Sequence, residues 1–223
     1  MDQHETEPGL SFERIVFFSD AVFAIVITLL VLEIKVPHLS EHSEPALRHA
    51  LLQLAPQVGG FVISFLIIGM MWIEHHRIFR YISRYDGGLL WRNFLLLLCV
   101  SFVPFPTALF SEHFWSRTAF VLYTLSFGGV ATAKLLIWRH AVKANLLKPE
   151  TTPELARRIE RRSLAVPLAC AAAIALATVS IWLAPLSFIL IPLLARLLDP
   201  TARKKKRESG VEKEDVLTQE ASS

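Results

Sequence analysis

The sequence predicts an all-α integral membrane protein with six transmembrane helices in a single repeat, and three observations lead there. Hydrophobic residues make up 53% of the 223 positions and the mean hydropathy is +0.45, whereas soluble domains are roughly 45–50% apolar. Charged residues, 19% of the chain, concentrate at the two ends and in a few loops, leaving uncharged stretches long enough to cross a bilayer. Lysine and arginine also divide unequally between the two sides of these stretches.

Four apolar runs correspond to one span each, because a helix of about 20 residues crosses the roughly 30 Å hydrocarbon layer. They lie at 15–36, 50–73, 89–110 and 118–138. A further run over 163–195 is too long for one helix and contains three prolines. A tight turn at 184–185 divides it into a fifth span over 163–183 and a short sixth over 186–198.

The distribution of Lys and Arg favours six spans over five. With six, eighteen of these side chains lie on one side, and only Lys35, Arg48 and Arg117 lie on the other. Cytoplasmic loops carry the excess of positive charge, and five spans would place the RKKKR run of the tail outside the cell. Both termini are therefore predicted to be cytoplasmic.

The chain is predicted to contain a cytoplasmic N-terminal segment (1–13), a transmembrane domain (14–198) and a disordered basic tail (199–223). PELARRIERRSL, before the fifth span, predicts a short amphipathic cytoplasmic helix, more simply a positive-inside loop than a lipid-binding element. The net charge of +3 argues against nucleic-acid binding. The sequence lacks a Walker loop, GxSxG, HExxH and paired catalytic carboxylates, so no enzyme, cofactor or resident metal is predicted.

The first span holds the densest set of ionisable residues, which are costly in hydrocarbon and therefore candidates for function. Arg14, Ser19 and Asp20 lie in its cytoplasmic third. Arg14 and Asp20 point to different faces of a helix that turns about 100° per residue, so their partners are expected on neighbouring helices. A structural clamp and a role in transport are equally open from these residues alone.

Candidate partners lie at the same depth, in WIEHHRIFR at the end of the second span and WRNF at the start of the third. They are Trp72, Glu74, His75, His76, Trp91 and Asn93.

An apolar stripe follows one side of the first span. Phe18, Ala21, Thr28, Leu29 and Leu32 all fall within about 60° of Ile25 on a helical projection. Periodicity alone favours a packing face. The alternative is a pore lining, since hydrophobic rings can gate by dewetting and a ring of hydroxyls can coordinate a cation.

The segment RIVFFSD fits the RxxxFSD signature of the transmembrane protein 175 family of potassium channels, and the chain resembles bacterial members over roughly residues 12–140. The similar segments include AVFAIVITLLVLEIKVP, WIEHHRIFR and WRNFLLLLCVSFVPFPTALF. One departure is Ala21, where many members have glycine.

The resemblance implies a potassium channel of the bacterial inner membrane, a homotetramer whose first helices line a central pore. Ile25 would be the main constriction, Leu29 and Leu32 further apolar rings, and Thr28 a hydroxyl ring near which potassium binds transiently. A polar network would hold the pore helix in place. Its members would be Arg14, Phe18, Ser19, Asp20, His76, Trp91 and Asn93, with His75 as the alternative to His76. The expected partners are potassium ions, the lipid bilayer and further copies of the chain.

Two other functions remain open at this point. One is a proton-coupled secondary transporter that uses Asp20 and His76 as a proton relay. The other is a non-conducting scaffold in which the polar cluster only clamps helices together.

Overall fold

The computed structural model describes residues 12–39, 41, 43–189, 191, 193 and 194. This part of the chain is helical, with a single isolated β-bridge. Most of the predicted N-terminal segment, the end of the predicted sixth span and the whole predicted tail lie outside the described residues.

Eight α-helices and two 3₁₀ segments are described. In chain order they are α1 (Phe12–Leu29) with a 3₁₀ turn (Leu30–Glu33), α2 (Glu44–Gln53), α3 (Ala55–Phe79), α4 (Gly87–Phe102), α5 (Pro104–Glu112), α6 (Arg117–Lys143), α7 (Pro153–Ser163), α8 (Ala165–Val179) and a second 3₁₀ helix (Ala184–Ile189).

Among the described residues, five helical stretches are long and apolar enough to cross a membrane. These are Phe12–Glu33, Ala55–Phe79, Gly87–Glu112, Arg117–Lys143 and Pro153–Val179. The first four coincide with the first four predicted spans, and the fifth joins α7 to α8. The predicted all-helical membrane architecture is thus confirmed. The predicted sixth span starts in the second 3₁₀ helix and runs beyond the described residues.

Side-chain caps and prolines set the helix boundaries. Ser43, Asp86, Ser116 and Thr152 each accept a hydrogen bond from a backbone N–H three residues later, at the starts of α2, α4, α6 and α7, which satisfies a donor that the helix leaves unpaired. The third span breaks between α4 and α5 at Pro104 because proline has no N–H to continue the ladder.

Helix α1 lies against α3 and α4, α4 lies against α6, and α6 lies against α8. Helix α6 is the most buried of the spans. Its Trp138 is fully buried and donates from Nε1 to the Ala156 carbonyl of α7 at 3.0 Å. This contact ties α7 to the end of α6.

Most of the Lys and Arg side chains of the described residues lie at one end of the bundle, which we call the basic end. There α1 begins, α3 ends, α4 begins and α6 ends. Its two connecting loops pair through an antiparallel bridge between Ile82 and Leu147 and a bond from the Lys148 N–H to the Tyr81 carbonyl at 2.8 Å. Asn145 takes the left-handed backbone conformation (φ 54°) that lets the chain turn after α6.

Candidate functional site

Helix α1 has one face buried against its neighbours. The buried residues of α1 and of the 3₁₀ turn that continues it recur every three or four positions: Ile15, Ser19, Phe23, Val26 and Leu30. This spacing keeps them on one side of the helix. Because α1 packs against α3 and α4, and its 3₁₀ turn against α3 and α5, the orientation of α1 is fixed by packing.

The stripe identified in the sequence lies on the opposite, uncovered side. Ile25 is 57% exposed and Leu32 is 71% exposed, and Phe18, Ala21 and Leu29 are also exposed. On the helical projection the centre of this stripe is about 130° from the centre of the buried face. The stripe is therefore free to meet something other than its own chain.

Thr28 is the one hydroxyl on this stripe, and it is exposed. Its Oγ1 lies 2.8 Å from the Ile25 carbonyl and 3.1 Å from the Ala24 carbonyl. The hydroxyl proton is therefore directed at the helix backbone. The lone pairs of Oγ1 remain on the exposed side, where they can accept a cation.

A buried chain of hydrogen bonds links three helices near the basic end. His75 of α3 donates from Nε2 to Asn93 Oδ1 at 3.0 Å, and Asn93 of α4 donates from Nδ2 to Ser19 Oγ at 2.9 Å. Ser19 donates in turn to the carbonyl of Ile15, at 2.9 Å. The three side chains are at most 1% exposed. This network holds α1 to both neighbours at a single depth.

The histidine in this network is His75, whereas the resemblance had placed His76 there. Adjacent residues on a helix point about 100° apart, so only one of the pair can face α1 and α4. His75 is 1% exposed and also packs against the rings of Phe23 and Phe79. His76 is exposed and lies beside the ring of Trp72.

The other members of the predicted network lie at the same end with different contacts. Asp20 accepts a hydrogen bond from Nε1 of Trp72 at 2.8 Å. Phe18 and Trp91 both pack edge-on against Phe94. Arg14 is exposed at the start of α1.

Sequence reasoning missed an ion-pair cluster between α3 and α6. Lys134 is only 9% exposed, and its Nζ lies 3.8 Å from Glu74 Oε2. Arg77 pairs with the other oxygen of Glu74 at 2.7 Å. The sequence did contain a signal for this cluster: Lys134 lies within an apolar run of α6, and a charged side chain at that depth needs a partner of opposite charge.

A second polar contact at the basic end joins Asp86, just before α4, to His140 of α6. Asp86, which begins α4, accepts the Leu89 N–H at 2.7 Å, and His140 Nε2 lies 2.8 and 2.9 Å from its two oxygens. The backbone hydrogen bond from Leu89, helped by His140, holds the pKa of the Asp86 carboxyl below its usual value. This pair joins the start of α4 to the end of α6.

Comparison with known proteins places this architecture among characterised relatives. Residues 14–104 match the family described as endosomal/lysosomal potassium channel TMEM175. A protein of Streptomyces collinus, named a potassium channel, is 39% identical over 164 residues, which are 70% of this chain and 79% of the relative. A second, from Chamaesiphon minutus and also named a potassium channel, is 41% identical over 174 residues, 76% of this chain and 86% of the relative.

The fold matches a solved structure of the same kind. The crystal structure of a lysosomal potassium-selective channel TMEM175 homolog from Chamaesiphon minutus superposes with a TM-score of 0.72 at 37% identity, over 84% of this chain and 97% of that chain. Sequence identity above 30% over most of two relatives, together with this shared fold, establishes that the chain belongs to the transmembrane protein 175 family.

Proposed function

We propose that this protein is a potassium channel that conducts ions passively across the membrane, and that α1 lines the pore. The observation that carries the proposal is the uncovered stripe on α1, which has an apolar surface and one hydroxyl. The relatives that match most of the chain are named potassium channels, which supports conduction of the same ion. They do not favour the proton-coupled transporter based on Asp20 and His76.

The arrangement needs several copies of the chain. One α1 helix cannot enclose a path, whereas four copies related by a fourfold axis bring four stripes together around that axis. With one six-span unit per chain, as the resemblance to bacterial members implies, the pore would be a homotetramer. Six spans per chain, with both termini cytoplasmic, are part of the same proposal, because that topology puts the basic end on the cytoplasmic side.

Within this pore each residue of the stripe has a distinct role. Ile25 forms the main constriction, and Leu29 and Leu32 form apolar rings further from the basic end. An apolar ring excludes water and so raises the barrier to an ion that cannot shed its hydration. Thr28 places a hydroxyl oxygen between these rings, where it can replace part of the hydration shell of potassium.

The polar residues near the basic end would hold the pore helix. The bonds among Ser19, Asn93 and His75 fix the rotation of α1 about its own axis, and the bond between Asp20 and Trp72 fixes it to α3 at the same depth. Arg14, Phe18 and Trp91 complete this layer, and His76 stands beside it. Loss of this support would misalign the stripe even though no ion touches these side chains.

The direct test is electrical. Purified protein in a planar bilayer with potassium chloride on one side and sodium chloride on the other should give single-channel steps that reverse near the potassium equilibrium potential. Native mass spectrometry of the same sample should give the mass of four chains. Flux that saturates with substrate and needs a proton gradient, with no current steps, would instead support a transporter.

A further inference from the structure

An apolar groove of about 430 Å³ lies between α4, α6 and α8. Two consecutive glycines of α6, Gly128 and Gly129, line it. A methyl group built on Gly129 would lie 3.6 Å from Sγ of Cys99 on α4, and one on Gly128 would lie 3.3 Å from Cβ of Cys170 on α8. The two glycines therefore allow α6 to lie close to α4 and α8, and both border the groove.

The groove lies on the side of the bundle away from the α1 stripe. Helix α8 packs mainly on α6 and on the 3₁₀ helix that follows it, whereas α1 packs mainly on α3 and α4. All three walls belong to stretches that are apolar and long enough to cross a membrane. The medium around this side of the protein is then lipid.

The length of the groove suits one acyl chain. Its lining on α6 runs from Thr124 to Leu136, a rise of about 18 Å. One leaflet of the hydrocarbon layer is about 15 Å deep. A chain that entered at the basic end would thus extend just beyond the centre of the bilayer.

Cations stand where the groove opens at the basic end. On α6, Arg139 and Lys143 follow Leu136 by three and seven residues, and on α4, Arg92 precedes Cys99 by seven. Residues at these spacings share a helix face. On both α4 and α6, the helix face that lines the apolar groove therefore carries positively charged side chains at the basic end.

The acidic groups at this mouth leave an excess of positive charge. Glu160 of α7 accepts one bond, from Nε of Arg139 at 2.7 Å, and Asp86 pairs with His140 and also interacts electrostatically with Arg92. Arg92 donates one N–H to the Gly88 carbonyl at 2.8 Å. Because a guanidinium carries five N–H donors, both arginines retain donors for a phosphate.

We propose that this groove binds one acyl chain of an anionic phospholipid, whose phosphate is held by Arg92 and Arg139 at the mouth. The glycine-lined walls take the chain, and the cations select a negative headgroup. This lipid site does not include the α1 stripe, so the test of lipid binding does not depend on whether the protein conducts potassium.

The test uses the full-length protein in detergent, with lipid binding measured by native mass spectrometry. Dioleoylphosphatidylglycerol and dioleoylphosphatidylcholine are compared, since they share acyl chains and differ in headgroup charge. Gly129→Leu fills the groove, and Gly69→Leu is its control, because a side chain at Gly69 of α3 meets nothing within 4 Å. Arg139→Gln removes a mouth charge, and Arg80→Gln removes an exposed one at the end of α3.

We expect the unmodified protein to retain phosphatidylglycerol in preference to phosphatidylcholine. Gly129→Leu should weaken retention of both lipids at least about tenfold, since it displaces several methylene groups. Arg139→Gln should reduce phosphatidylglycerol binding alone, about fivefold for one basic side chain near a membrane surface. The two controls should behave as the unmodified protein does.

Three results would overturn the proposal. One is equal retention of the two lipids by the unmodified protein, a measurement that does not depend on any variant folding. Another is unchanged lipid retention in a monodisperse Gly129→Leu sample. The third is loss of oligomers in Gly129→Leu with lipid binding intact, which would mean that a second copy of the chain covers the groove.

Discussion

Replacing Asn93 by alanine should destabilise the protein far more than its size suggests, because Asn93 joins three helices. The change removes the acceptor for His75 Nε2 and the donor to Ser19 Oγ. Nδ1 of His75 has no hydrogen-bond partner among the described residues, so the whole imidazole would be left unpaired in a site that is 1% exposed.

The magnitude follows from these contacts. Side-chain hydrogen bonds within membrane proteins average about 0.6 kcal/mol each, so the two bonds of Asn93 contribute about 1.2 kcal/mol. A buried polar group left without a partner costs a further 1–3 kcal/mol or so. The expected loss in the free energy of unfolding is therefore about 2–4 kcal/mol.

Reversible unfolding in mixed detergent micelles, followed by tryptophan fluorescence, measures this loss. Thr132→Ala is a suitable control, because Thr132 is exposed and, among the described residues, its hydroxyl bonds only to the Gly128 carbonyl of its own helix. A double-mutant cycle of Asn93→Ala with Ser19→Ala should give a coupling energy of about 0.5–1.5 kcal/mol. A loss below about 0.5 kcal/mol for Asn93→Ala, equal to the control, would refute the claim that this network holds α1.

Three further outcomes are expected. Glu74→Gln should lower the free energy of unfolding by about 1–3 kcal/mol, because it leaves Lys134 buried without its counter-charge. Lys134→Met should change this free energy very little, since Glu74 keeps its ion pair with Arg77. The same unfolding assay compares the two variants. Asp86→Ala should cost about 1 kcal/mol through loss of the helix cap. Because the native carboxyl has a lowered pKa, its contribution is present above about pH 4 and fades as the pH falls through that lowered pKa. Unfolding at pH 7 and over a descending series below pH 4 checks this, and a difference that does not shrink along the series would contradict it. Thr28→Val should reduce potassium conductance in bilayer recordings while Thr28→Ser retains it, and equal conductance in both would remove the hydroxyl from the ion path.

The sequence predicted the spans because apolar length and helical periodicity are local properties. The predicted spans 15–36, 50–73, 89–110 and 118–138 overlap α1, α3, the pair α4 and α5, and α6, respectively. Helix α2 was missed even though Ser43 and Pro45 mark its start, since its last residues were assigned to the second span, which was predicted to begin at residue 50. The break at Pro104 was also passed over, because hydropathy does not sense a missing hydrogen-bond donor.

The partners of each polar side chain were harder to predict, since they depend on how each helix is rotated. The sequence placed two histidines at the depth of Ser19, and only the packing of α3 selects His75 over His76. The pairing of Lys134 with Glu74 joins residues sixty positions apart on helices whose adjacency no local pattern encodes. The apolar stripe of α1 was visible in its periodicity, but periodicity alone favoured a packing face, and the exposure of the stripe is a finding of the structure.

The central claim is that the Ile25 stripe of α1 constricts an ion path, and one recording tests it most directly. Bilayer currents under a potassium/sodium gradient would be compared for the unmodified protein, Ile25→Asn and Val31→Asn. Val31 is a suitable control, because it is 48% exposed in the 3₁₀ turn that continues α1 but lies away from the stripe. The account predicts potassium-selective steps, larger and less selective in Ile25→Asn and unchanged in Val31→Asn. Identical currents in all three, from samples of equal oligomeric state, would contradict it.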